Sequence, residues 1–297
     1  MTHCDCLVVG SSGFIGRAIF QKMKENYPGV WGVCRRDKQD PCEVVCDLLD
    51  QDQCLLLSNF IPRTIIFCAG YILHPSDLRG SNDLVQAHLA LVLNFLRAIN
   101  LQRLEEFLYL GSSDEYGVDD GSQVWEHSVC RPMTGYGFAK HSAVQYLRFL
   151  NKKFGLPVYI VRPFHVFGPR QTLNRFLPAL ISEAARGRQL AVEQPNRTID
   201  YIYIEDFVEG IIAYLNTSRE VGGLLNLSGG NPMLLLEVCN IVWNEFNLPQ
   251  KTLDPLKAKS GCFPNLARMQ ALGVNFLGKS LQANISFTIE EYLSDER

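Results

Sequence analysis

The sequence has no basic excess: 28 lysines and arginines face 31 aspartates and glutamates, for a formal net charge of −3. A protein that grips nucleic acid by neutralising phosphates carries a basic patch or stripe, so nucleic acid is not an expected partner. No apolar run approaches the roughly 20 residues that span a bilayer. The stretch from Met1 to Val9 also lacks a cationic region followed by a long apolar one. The expectation is a cytoplasmic protein with no membrane contact. Ten cysteines are present, but none in the paired Cys-x-x-Cys spacing of a zinc ribbon. Cys34, Cys42, Cys46 and Cys54 are therefore read as small hydrophobes in a reducing compartment, and no metal is expected. Internal repeats and low-complexity linkers are missing as well.

What remains is a chain of 297 residues, 47% of them hydrophobic, enough for one large domain or two intimate lobes. Short apolar runs at Cys6–Val9, Val30–Cys34, Val44–Cys46, Thr64–Cys68, Phe107–Leu110 and Val158–Arg162 read as strands. Between them lie amphipathic or apolar stretches at Phe14–Glu25, Asn82–Asn100 and Tyr136–Lys153 that read as helices. Repeated strand–helix–strand units predict an α/β fold, a Rossmann-type doubly wound parallel sheet over residues 1–167. Past Pro163, prolines and glycines punctuate shorter elements. Residues 168–297 are read as a smaller substrate-binding lobe, with a helix at 205–217 returning to the sheet. The helices at 82–100 and 136–153 are apolar nearly all round, so each has two faces to bury. A homodimer through a four-helix interface is expected.

The first strand runs into Gly10-Ser11-Ser12-Gly13-Phe14-Ile15-Gly16, which opens the first helix. Glycine permits the tight turn, the approach of a pyrophosphate to the backbone, and close helix–strand packing. Gly10, Ser12, Gly13, Phe14, Ile15 and Gly16 are thus candidate dinucleotide contacts. At the end of the second strand a carboxylate would accept from a ribose hydroxyl and an arginine would take a 2′-phosphate. Here stand Arg35 and Arg36, with no carboxylate before Asp37. That favours NADP(H) over NAD(H); plain solvation of both arginines is the alternative. Asp47 and Leu48 after the third strand are placed near the adenine. Cys68, Ala69 and Gly70 after the fourth, and Pro163 after the strand ending at Arg162, are expected to border the cofactor.

Tyr136 and Lys140 lie one helical turn apart on one face. A phenol beside an ammonium can exchange a proton near neutral pH, which is what reduction of a carbonyl or oxidation of a carbinol requires. Upstream, the strand Phe107–Leu110 leads into Gly111-Ser112-Ser113-Asp114-Glu115-Tyr116-Gly117, where a hydroxyl can meet the reacting oxygen. With these pieces, and with Arg162 to Gln171 and Asp200 to Asp206, the chain resembles the extended short-chain dehydrogenase/reductase family in its nucleotide-sugar epimerase, dehydratase and reductase branch. The resemblance covers nearly the whole chain. It implies Ser112, Tyr136 and Lys140 as the catalytic triad, with Lys140 also holding the nicotinamide ribose, and a nucleotide-diphosphate sugar as substrate.

Within the branch the likeness runs to GDP-6-deoxy-4-keto-mannose reductases, which share the Glu-Tyr-Gly ending of the serine segment and the approach Arg131 to Gly135. That implies NADPH-dependent reduction of a nucleotide-linked 4-keto-6-deoxyhexose. The second reading is an epimerase or 4,6-dehydratase that recycles its nicotinamide. Ser113 and Asp114 stand where many dehydratases have Asp-Glu, which weakens dehydration, although Asp114 could act as a shortened glutamate. His165 replaces the asparagine usual in the family, and Ile199 replaces an arginine that grips the diphosphate. Ser113, His165, Arg170 and Arg197 are the substrate candidates, with Lys257 a further cation. A third reading, a non-catalytic member that senses nucleotides or binds a partner, conflicts with the retained tyrosine and lysine.

Overall fold

A computed structural model of the chain describes residues 2–72, 77–217, 223–253, 260–274 and 280–295. The elements begin β1 (Thr2–Val9), α1 (Phe14–Asn26), β2 (Val30–Cys34), β3 (Glu43–Val45), a short α2 (Gln51–Cys54), β4 (Phe60–Phe67), α3 (Leu78–Ala98) and β5 (Glu106–Leu110). They continue with β6 (Ser122–Val124), α4 (Gly135–Phe154), β7 (Val158–Pro163), β8 (His165–Phe167), α5 (Phe176–Ala185), β9 (Arg197–Ile199), β10 (Tyr201–Tyr203) and α6 (Ile204–Asn216). The last are β11 (Leu224–Leu227), β12 (Met233–Leu234), α7 (Leu235–Glu245), β13 (Ser260–Pro264), α8 (Ala267–Ala271) and α9 (Leu281–Asp295).

The chain divides into two compact units. The first comprises Met1–Gly117, Val129–Pro163 and Ser218–Leu225. Its centre is a seven-stranded sheet in the order β11-β7-β5-β4-β1-β2-β3, the doubly wound pattern the alternation of strands and helices predicts. Neighbouring strands from β3 to β7 run parallel, with Val9 opposite both Val33 and Phe67, and Tyr109 opposite Ile160. Parallel strands are covered on both faces, and β1, β4 and β5 accordingly read as near-continuous apolar runs. Phe67 is the hub of one face. It meets Phe95 of α3 edge-on and stacks with Phe107 and Tyr109 of β5, all with ring centroids within 6.0 Å. Val92 of α3 and Ala143, Val144 and Leu147 of α4 close the same core.

Helix boundaries follow local chemistry. The Asp77 carboxylate accepts from Gly80 N at the start of α3, and the Thr134 hydroxyl accepts from Gly137 N at the start of α4. Gly155 ends α4 at φ 72°, the left-handed conformation that glycine adopts without a Cβ penalty. The α1 start differs. Its cap, Gly13, has no side chain to offer and the first turn holds no carboxylate, so its leading N–H groups are left for another acceptor.

The second unit comprises Val118–Ser128, Phe164–Thr217 and Asn226–Arg297. It holds a parallel pair, β10-β8, and a four-stranded sheet in the order β12-β9-β13-β6. Helix α6, read from the sequence at 205–217, groups with this unit beside β8 and β10. Asp200 organises the turn after β11: its carboxylate accepts from Gly230 N and Asn231 N, both at 3.1 Å. Among the described residues no helix is long and apolar enough to cross a membrane.

Candidate active site

In the first unit the parallel strands all deliver their following loops to one edge of the sheet, the carboxyl ends where open α/β sheets hold ligands. The turn after β1 is tight for a specific reason. Gly10 sits at φ 90°, and a Cβ there would lie 2.8 Å from Ala69 N; a Cβ on Gly16 would collide with the Gly10 carbonyl. Ser12 and Gly13 are exposed, and Phe14 and Ile15 are half-buried at the head of α1. Below the turn, the buried Ser11 hydroxyl donates to Glu43 Oε1 at 2.6 Å, and Arg17 pairs with the same carboxylate at 3.3 Å. The glycine loop is thereby tied to β3.

Arg35 and Arg36 follow β2 directly and both are exposed. The Arg35 guanidinium lies over the Tyr71 ring, 5.3 Å from its centroid, a cation–π contact. Asp47 is committed to its own turn, accepting from Leu49 N at 3.0 Å. Leu48 is buried, and its carbonyl accepts from Asn94 of α3. Cys68 and Ala69 are half-buried and Gly70 is exposed after β4. Burial raises the Cys68 thiol to about 12, so it stays protonated. Pro163 closes β7, half-buried.

Tyr136 and Lys140 fall in the first and second turns of α4, and both are buried. The Lys140 ammonium donates to the Leu110 carbonyl at the end of β5, at 2.8 Å, and lies 4.9 Å from the Tyr109 ring centroid. Burial lowers its pKa to about 8; the negative charge of Glu115 opposes that fall. Gly70 supplies the space in front of it, since a Cβ on Gly70 would stand 3.3 Å from Lys140 Nζ and 3.0 Å from His88 Cε1. The uncapped α1 start, the Gly10 turn and this Gly70 cradle fit an extended anionic dinucleotide.

Ser112 follows β5 and caps a single 3₁₀ turn over Ser113–Glu115. Its Oγ accepts from Asp114 N at 3.1 Å. Ser113 is buried, and Asp114 is half-buried with its carbonyl close against Gly137 of α4. Candidates from β1, β2, β4, β5 and α4 thus meet at one edge of the first unit. His165, Arg170 and Arg197 belong to the second unit. His165 packs against Tyr201, 5.6 Å between centroids, and its pKa is lowered to about 4 by burial and then by Arg197 and Arg175. Arg197 is held by Asp119 and Gln194. Arg170 is exposed at φ 63°. Lys257 lies outside the described residues.

The sequence reading missed several residues here. His88 of α3 is buried, its Nε2 lies 2.9 Å from the Tyr71 carbonyl, and its ring meets Tyr136 edge-on at 5.8 Å. Burial and then the Lys140 charge lower its pKa to about 4, so the ring is neutral. The charge of Arg175, with that of Arg197, adds to the lowering of His165 by burial and opposes the rise that burial gives the Tyr201 phenol. Glu115, Cys130 and His141 offer ligand atoms within 4.8 Å of one another. The Arg162 guanidinium is already inserted there, 2.7 Å from Glu115 and 3.1 Å from Cys130 Sγ. The group is therefore filled by a cation of the chain itself.

The geometry has counterparts among known proteins. Residues 6–228 match the model of the NAD dependent epimerase/dehydratase family. Among curated relatives, a Bacillus subtilis protein described as the uncharacterized UDP-glucose epimerase YtcB is 28% identical over 148 residues, spanning 50% of this chain and 46% of that one. The dTDP-D-glucose 4,6-dehydratase of Bos taurus is 22% identical over 78% of this chain and 70% of its own. A solved structure of UDP-glucuronic acid 4-epimerase from Bacillus cereus, in complex with UDP-glucuronic acid and NAD, superposes with a TM-score of 0.84. It is 21% identical and covers 98% of this chain and 99% of its own. The family match covers far more than half the residues and runs from the first strand to β11: this chain belongs to the NAD dependent epimerase/dehydratase family, within the extended short-chain dehydrogenases/reductases.

Proposed function

We propose that the chain is an NADPH-dependent reductase of a nucleotide-linked 4-keto-6-deoxyhexose. The observation that carries this reading is the exposed Arg35-Arg36 pair directly after β2, with no carboxylate ahead of Asp37. Two guanidinium groups suit a 2′-phosphate dianion and leave nothing to accept from a free ribose hydroxyl. The nicotinamide dinucleotide, when bound, supplies the hydride.

The chain's own residues do the rest. The turn from Gly10 to Gly16 and the uncapped start of α1 hold the pyrophosphate. Asp47 and Leu48 border the adenine, and Cys68, Ala69, Gly70 and Pro163 leave room along the sheet edge. Lys140 is an ammonium at neutral pH, and one helical turn from Tyr136 its charge favours a phenolate there. Tyr136 gives its proton to the C4 oxygen, and Ser112 donates a hydrogen bond to that oxygen. Ser113, His165, Arg170, Arg197 and Arg175 are assigned to the nucleotide-sugar substrate, the arginines to its diphosphate.

The epimerase reading has its own support, in relatives named for UDP-sugar epimerisation and in a neighbour that holds NAD with a UDP-sugar. Relatives are named for 4,6-dehydration too, but the serine segment offers that reaction less. Glu115 is locked in an ion pair with Arg162, which leaves Asp114 as the acid or base on offer in this segment. Absorbance of NADPH with a panel of nucleotide-linked 4-keto-6-deoxyhexoses should show stoichiometric oxidation with one of them. NADH should serve less well, and Arg36→Ala should narrow the gap. A purified protein that keeps its dinucleotide and interconverts sugars without net oxidation contradicts reduction and establishes the epimerase.

A homodimer through α3 and α4 belongs to the same proposal. Phe138 and Phe149 of α4 are about half exposed, and a groove of about 570 Å³ between the two helices is lined by Val85, Leu89, Pro132 and Met133. Sedimentation at micromolar concentration should give twice the chain mass, and a monomer there would contradict it.

Lys140 generates a prediction about stability. Its folded pKa of about 8 lies below the ordinary 10.5, so between those values the unfolded chain holds more protons and stability rises with pH. Relative to Lys140→Met, the unfolding free energy of the native chain should climb by up to about 3 kcal/mol from pH 8 to 10.5. Parallel pH profiles in denaturant titrations would show that the ammonium is not buried as described.

A further inference from the structure

The proposed mechanism gives no part to Glu115 and Arg162. Both side chains are fully buried, with 0% and 1% exposure. Glu115 ends the 3₁₀ turn that Ser112 caps, and Arg162 comes from β7, next to β5 in the sheet. The carboxylate serves two directions. Its Oε2 accepts from Arg162 Nη2 at 2.7 Å, and its Oε1 accepts from the Ser112 peptide N–H at 2.9 Å. Burial alone would push the Glu115 carboxyl up; the His141 contact and the Arg162 charge outweigh it and hold the group ionised.

Stability is a poor account of this pair. An ion pair of this burial is often matched or bettered by apolar residues of similar volume. The Arg162 Nε and Nη1 atoms are also buried with no hydrogen-bond partner among the described residues, and the Tyr116 ring lies 4.5 Å from the guanidinium. What the pair provides is a fixed reference. A guanidinium anchored in one strand holds a carboxylate, and the carboxylate holds the backbone of Ser112, two residues past the end of the next strand. The Ser112 Oγ already accepts from Asp114 N, and a hydroxyl that accepts in this way still has its own hydrogen to donate.

We propose that Glu115 and Arg162 are positioning residues for Ser112, fixing its peptide so that its hydroxyl presents a hydrogen at the carboxyl end of β5. That a reacting oxygen lies there rests on the function proposed above; the hold on Ser112 does not. Two double variants separate the hydrogen bond from the charges. Glu115→Gln with Arg162→Met keeps a carbonyl oxygen for the Ser112 N–H, whereas Glu115→Leu with Arg162→Met removes it. Neither leaves a lone buried charge.

Hydrogen exchange of the ligand-free protein, followed in the segment 110–117, reads the hold directly. The Ser112 amide of the Leu double should exchange at least about tenfold faster than that of the Gln double, with both melting cooperatively near the native chain. With a sugar found active in the panel, kcat should fall at least about tenfold in the Leu double and less in the Gln double, with KM and NADPH affinity alike in the two. Equal exchange in the two doubles, or loss of the fold in both, overturns the proposal. Unequal exchange with no active sugar would leave the positioning intact and count against the reductase instead.

Discussion

Lys140 carries its ammonium into the first unit's interior, where one carbonyl, Leu110 O, receives it and the ring of Tyr109 faces it. Few positions in a protein tolerate a buried cation without a bonded carboxylate, and the surroundings answer that constraint. Glu115 contributes negative charge, His88 stays neutral, and Cys68 keeps its proton. Gly70 stays free of a Cβ and leaves space in front of the charge. Each neighbour makes sense as part of a site in which a single positive charge is kept partly desolvated beside a phenol.

The same constraint explains why β5 and α4 are tied so closely. Leu110 ends β5, Ser112 follows it, and α4 brings Tyr136 and Lys140 back against that end. Thr134 caps the helix, and Gly137, one residue after Tyr136, lets the Asp114 carbonyl approach. A helix that began one residue later would turn both functional side chains by about 100° away from the strand end.

Much of this was legible in the sequence because the signals are local. The β1–glycine–α1 unit, the apolar strands and the Tyr136–Lys140 spacing each lie within a window of about twenty residues, and their periodicity appears as such. Helix α3 is legible too, though the sequence places its start at Asn82, four residues past Leu78, because no apolar residue marks the first turn beyond Leu78. The sheet β12-β9-β13-β6 was not seen: its strands are two to five residues long, and pairing such as Cys262 with Ser122 joins segments far apart in the chain. Glu115 reads as part of the Glu-Tyr-Gly ending shared with the reductases; its partner Arg162 is 47 residues on and betrays nothing by spacing. His88 lies inside an apolar helix, where a histidine reads as a core residue. Contacts across the chain, and the burial that gives a charge its meaning, have no periodicity to read.

In the proposed reaction the phenol of Tyr136, beside Lys140, moves the proton at a nucleotide-linked sugar while the glycine turn binds the dinucleotide independently. Tyr136→Phe removes one oxygen and keeps the ring that packs against His88. Titration of NADPH into native and variant protein, paired with turnover on an active sugar, tests both halves at once. Dinucleotide affinity should stay within about threefold of native, and turnover should fall by at least about a hundredfold. Undiminished turnover in Tyr136→Phe would contradict this role of the phenol.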